Sequence, residues 1–288
     1  MRYRSNNILA LLTPNKEEQP FLEQILFFRQ SLNMRVFFYH IIEKPSFLKK
    51  LFQSKQSKNV KNEELKALHD FVEKRTPRED LQHMSYRVKT GSPLSVLIGQ
   101  SKNGGYEFLM VKKGKPGSTL NRDETDKLIS RAFCPALVIS KNFPVKKIKK
   151  IVIPIDISQS TKKKLLWATY FAKKFGAKIN IVSALSVNID TKRSLVWRDA
   201  EKLKQMLIQR GISCNVDIIK TNGKEKHAVI LDYIEKEKPD MVIIRTHQDS
   251  SLTGAQVGKF VSEVVNGCSM PVFTVNRFNH PMPVDFEL

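Results

Sequence analysis

The residues best placed to do chemistry lie between Val242 and Val264, "VIIRTHQDSSLTGAQVGKFVSEV". A β-branched run gives way to a polar loop and then to a helix start, the layout with which α/β proteins hold phosphate on helix N-terminal N–H groups. Gly258 permits close backbone approach, and Lys259 adds a cation at the helix start. Two positions oppose that chemistry. Arg245 and Gln248 carry long side chains where small residues would admit an anion.

Other chemistries find less support. Cys134, Cys214 and Cys268 form no CxxC pair, and the six histidines show no HxxxH or HExxH spacing, so no metal site is expected. Cys134 precedes a proline and a strand and reads as a buried, inert thiol. His247 stands in a polar turn with no Ser–His–Asp arrangement around it, and no catalytic residue is expected. "GKPGST" at 114–119 resembles a phosphate loop but lacks the GxxxxGK[ST] pattern.

The elements that must position these residues alternate in type. "KIVIPID" (150–156) is a β-branched run that reads as a buried strand. Ser158 or Ser160 can cap the helix after it, whose Leu165, Ala168, Ala172 and Phe175 fall at helical spacing. Trp167 and Phe171, four apart on that helix, are expected in the core or at an interface. Strands follow at 178–185, 214–221, 240–246 and 271–275, with helices at about 191–210, 227–237 and 255–267. That order predicts a doubly wound parallel sheet.

The first half repeats the plan. "NNILALLT", "MRVFFYHI", "MSYRVKTG", "YEFLMVKK" and "PALVIS" are its strands, and Phe21, Ile25, Phe28 and Leu32 share one face of its first helix. Ile8 matches Ile151 at an offset of 143, Gly91 matches Gly223 at 132, Glu107 matches Asp240 at 133 and Pro135 matches Pro271 at 136. The offsets change only across predicted loops, as a true internal repeat requires. The expected domains are 1–144 and 145–288, joined at the Pro- and Lys-rich "KNFPVKKIKK" (141–150).

The formal net charge is +21, with 25 basic and 14 acidic residues in 1–144 against 24 and 14 in 145–288. The excess is spread evenly over the repeat, as on a solvated basic surface. It also leaves nucleic acid or another anion open as a partner. No apolar run approaches a membrane span or a signal-peptide core, so a cytoplasmic protein is expected.

"IVIPID", the "KTNGKEKHAVILDYIEKEKPDMVII" block, the "THxxxxL" turn and a last helix running into "SMPVFTV" together resemble the universal stress protein family, in a tandem two-domain form. "VKTGSPLSVLIGQ" and "AFCPALVIS" stand at the matching places of the first half. The resemblance implies two five-stranded parallel sheets of the adenine nucleotide alpha hydrolase-like type, strand order 3-2-1-4-5, paired through their last strands as an intramolecular pseudo-dimer. It implies ATP or another adenine nucleotide as the family's ligand, held by G-x2-G-x9-G-(S/T) and by an aspartate ending the first strand. Carried over, the nucleotide site would comprise Pro154, Ile155, Asp156, Ala184, Ile244, Thr246, His247, Gly258, Lys259 and Phe260.

The spacing survives better than the chemistry. Arg245 and Gln248 fill the first two glycine positions, Gly258 keeps the third, and Lys259 replaces the Ser/Thr. Asp156 is either a ribose contact or a helix cap. In the first half Thr13 stands at the aspartate position, and Arg122 and Asp123 take the final G-(S/T) places. The resemblance therefore implies a stress-response binding module with a largely degenerate nucleotide site, an unknown protein partner and self-pairing or homodimer formation. A nucleotide sensor with slow hydrolysis and a basic anion- or nucleic-acid-associated protein remain the alternatives.

Overall fold

Buried β-branched strands interleaved with amphipathic helices force the chain into three layers, a central sheet with helices on both faces. The computed structural model describes residues 5–43, 56–114, 120–140, 147–155, 162–186, 190–246, 257–276 and 282–283. The first half runs β1 (Asn7–Leu11), α1 (Gln19–Leu32), β2 (Arg35–Ile42), α2 (Gln56–Glu73), α3 (Arg78–Leu81), β3 (Met84–Thr90), α4 (Pro93–Asn103), β4 (Phe108–Lys113), α5 (Arg122–Arg131) and β5 (Ala136–Ser140). The second runs β6 (Lys150–Pro154), α6 (Lys162–Phe175), β7 (Lys178–Leu185), α7 (Leu195–Ile208), β8 (Cys214–Lys220), α8 (Lys226–Glu237), β9 (Met241–Arg245), α9 (Lys259–Gly267) and β10 (Val272–Val275).

The described strands form one ten-stranded sheet in the order β3-β2-β1-β4-β5-β10-β9-β6-β7-β8. Each half is parallel with order 3-2-1-4-5, as the family resemblance implies, and the two join where β10 pairs antiparallel with β5. Gly91 and Gly223, matched by the repeat, both follow the third strand of their half at positive φ (+146° and +86°), a geometry only glycine takes without strain.

Strand alternation splits the core into two layers. α1, α2, α6 and α7 cover one face, and α4, α5, α8 and α9 cover the other. At the seam Trp167 and Phe171 meet Phe273 at ring-centroid distances of 4.9 and 4.8 Å, and Phe27 of α1 stacks on Phe175 of α6 at 5.9 Å. The aromatic pair expected in core or interface serves as both.

Polar bonds register the seam. Thr274 Oγ1 donates to Ala136 O, and the Asn276 amide donates to Ala132 O. The Lys113 ammonium donates to the carbonyls of Val265, Asn266 and Cys268 at 2.6, 2.9 and 2.7 Å, capping the C-terminal end of α9 from the opposite half. Burial pushes the Lys113 pKa down to about 8.

Two helix starts lie later than the sequence predicts. Ser194 caps α7 by accepting from Trp197 N–H, leaving 191–193 as a short 3-10 turn. Extended Gly258 (φ −64°, ψ 151°) delays α9 to Lys259. Ser158, Ser160 and most of the 141–150 linker lie outside the described residues.

Candidate functional site

In an open α/β sheet, ligands gather beyond the carboxyl ends of the strands where the strand order reverses. In the second half that point lies between β6 and β9, neighbours in the sheet. Pro154 ends β6 and buried Ile155 follows it; Ile155 N–H donates to Val182 O, and Ser183 Oγ donates to Ile155 O at 2.8 Å. Ala184 lies near the end of β7, and Ile244 and Arg245 end β9. Buried Thr246 follows, its N–H donating to Val275 O at 3.0 Å. These residues sit together at the crest of the sheet because parallel pairing aligns the ends of β7, β6 and β9. Asp156, His247 and Gln248 lie outside the described residues.

Arg245 pairs in register with Val275 and is buried. Alternation puts it on the same face as Met241 and Ile243, the side covered by α6 and away from α9. Its match in the first half is Lys112, which falls on the same face as Phe108 and Met110. The Lys112 ammonium pairs with the Glu18 carboxylate at the head of α1; the two side chains are 4% and 0% exposed. An internal ion pair thus occupies the first half's switch point, beneath β1 and β4.

The helix starts differ between the halves. Asn121 and Glu124 form a reciprocal capping box on α5, which satisfies the first N–H groups internally. Arg122 reaches across the seam to Glu263 at 2.7 Å. At α9 the cap is exposed Gly258, which has no side chain to accept from the helix. The Lys259 ammonium lies 3.2 Å from the Glu225 carboxylate at the head of α8, both side chains 66% exposed. Phe260 packs with Val257 against the core layer beneath α9.

Glu18 escaped the sequence reading because it meets its partner 94 residues away. Lys112 was in principle accessible, since the repeat offset of 133 sets it opposite Arg245. Among the described residues no group of three or more His, Cys, Asp or Glu side chains is placed to hold a metal ion. No described helix is long and apolar enough to cross a membrane.

The sequence model of the universal stress protein family matches residues 147–276. Among solved structures, the chain is similar to a functionally unknown protein from Pseudomonas aeruginosa PAO1, at 16% identity and a TM-score of 0.67, covering 94% of this chain and 92% of that one. It is similar to a universal stress protein from Archaeoglobus fulgidus DSM 4304 at 16% identity and a TM-score of 0.67, covering 97% and 99%. A universal stress protein from Archaeoglobus fulgidus in complex with dAMP aligns at 16% identity and a TM-score of 0.36, over 44% of this chain and 97% of that one. No curated protein matches.

Proposed function

Residues 147–276 are a universal stress protein domain, and on that premise we propose that the chain is a non-enzymatic binding module of the cytoplasmic stress response. Its two domains, 1–144 and 145–288, form an internal pair, and its nucleotide sites are largely degenerate. The observation that carries this reading is the Lys112–Glu18 pair. A buried carboxylate already neutralises the cation at the first switch point, so an incoming phosphate would have to displace it. In the second domain Lys259 is turned to Glu225, and Arg245 is buried toward α6.

A second reading, a weak nucleotide sensor, draws on α9. Its first N–H groups receive no side-chain cap among the described residues, which suits an anion. Calorimetric titration of Mg-ATP separates the two. The wild-type chain is expected to show no binding at millimolar nucleotide, and the triple variant Arg245→Gly, Gln248→Gly, Lys259→Ser to gain it. Saturable wild-type binding that Asp156→Ala abolishes would replace the first reading with the second.

A further inference from the structure

The sheet ends on β8, and no described strand lies beyond it. Ile179 N–H bonds to Ser213 O and Thr221 N–H bonds to Leu185 O, which fixes the phase of the parallel ladder. Odd-numbered residues of β8 therefore face β7, while Val216 and Ile218 turn their N–H and C=O groups outward. Beside this edge runs an open groove of about 520 Å³ between β8 and α8. Ile219 and Val229 supply apolar lining; Asp217, Asp232, Tyr233 and Lys236 supply the polar lining.

The groove is rich in acceptors, although it belongs to a chain of net charge +21. Tyr233 Oη donates to Asp217 Oδ2 at 2.5 Å, which leaves Oδ1 of that carboxylate for a ligand. Asn180 donates to Tyr233 Oη at 3.3 Å, and its own Oδ1 is buried with no donor among the described residues. Lys224 is paired with Asp232 at 2.9 Å, and Lys150 with Glu237 at 3.1 Å. Lys236 and Lys220, the latter with a partner of its own, stand at the exposed rim. They oppose entry of several cations but leave room for one inserted beside Asp217.

We propose that the β8 edge and its groove bind an extended peptide segment of a partner protein, which adds an eleventh strand and places one lysine or arginine against Asp217. Main-chain bonds to Val216 and Ile218 supply affinity, and the alternate side chains that reach the groove supply specificity. This gives the binding-module reading a surface distinct from the nucleotide crevice, so failure here leaves the Mg-ATP titration unaffected, and the reverse holds too.

The probe is a fluorescein-labelled peptide, Thr-Val-Thr-Lys-Thr-Val-Thr, followed by anisotropy against the full chain at physiological salt. Its valines and lysine share one face, and a second peptide carries glutamate in place of lysine. The lysine peptide is expected to bind the tighter, against the overall charge of the protein. Asp217→Asn should erase that preference, weakening the lysine peptide about tenfold. Ile218→Pro removes an outward N–H that β7 does not use, so the fold should survive by circular dichroism while both peptides are lost. Tighter binding of the glutamate peptide, or equal binding by Ile218→Pro of unchanged helicity, overturns the proposal. If the proline variant unfolds, Asp217→Asn decides alone, and an unchanged lysine preference there overturns it equally.

Discussion

Replacing Lys113 with methionine keeps the aliphatic stem and deletes the ammonium that spans the seam. Three carbonyls at the C-terminal end of α9, those of Val265, Asn266 and Cys268, then lose a charged donor held at 2.6–2.9 Å. Hydrogen bonds to a charged group contribute about 1.5–3 kcal/mol each, but three on one ammonium are not additive, and returning Lys113 to water recovers part of the loss. Its partial exposure discounts the figure again, leaving a net loss of about 2 kcal/mol. Near the transition this lowers Tm by about 5 °C for a chain of this size. Urea denaturation should show a lower midpoint at unchanged m-value.

The pH dependence tests the burial of the same group. Burial holds Lys113 at about 8 in the folded chain against an ordinary 10.5, so the folded state binds fewer protons between those values. Its contribution to stability is fully present above pH 10.5 and is lost as the pH falls toward 8. The wild-type advantage over the Lys113→Met variant should therefore widen from pH 8 to pH 10, because other titrating groups cancel in the difference. A variant within about 0.5 kcal/mol of wild type at pH 7 would refute the bridging role, and a flat difference from pH 8 to pH 10 would refute the burial of the amine.

Two further outcomes follow from buried charges. Glu18→Gln leaves Lys112 a buried cation without its counter-charge and should cost about 3–5 kcal/mol, whereas the paired change Glu18→Leu, Lys112→Met should lie far closer to wild type; denaturant melts of both decide. Burial lowers the pKa of His40 below 6.5, with Glu64 at 3.3 Å pulling the other way, so its contribution is present above pH 6.5 and is lost as the pH falls through the lowered value. His40→Gln should flatten the acid limb of stability against pH, and an unchanged limb would assign that limb to other groups.

The fold was legible because its signals are local or periodic. Four offsets exposed the repeat, and short apolar runs marked the described strands. The spacing of Trp167 and Phe171 marked the face that now fills the seam. The candidate site was legible as a frame of positions in β6, β7, β9 and α9. What occupies the switch points was not. Glu18 and Lys112 are separated by 94 residues, and Lys113 reaches carbonyls more than 150 residues away, so no window along the chain holds both partners. The groove was hidden for another reason. Asp217 and Tyr233 look like ordinary residues of an amphipathic strand and helix until the sheet order leaves β8 at the edge.

The Lys113 bridge has no mirror image. Its match across the repeat is Thr246, which is buried and cannot reach out as a cation does. Two identical subunits related by a twofold axis would have to carry such a latch twice or not at all. Fusing the halves into one polypeptide lifts that restriction, so the interface can be fastened from one side alone. Dilution cannot part the halves either. Their pairing is an intramolecular equilibrium, and its strength is independent of how much protein the cell makes.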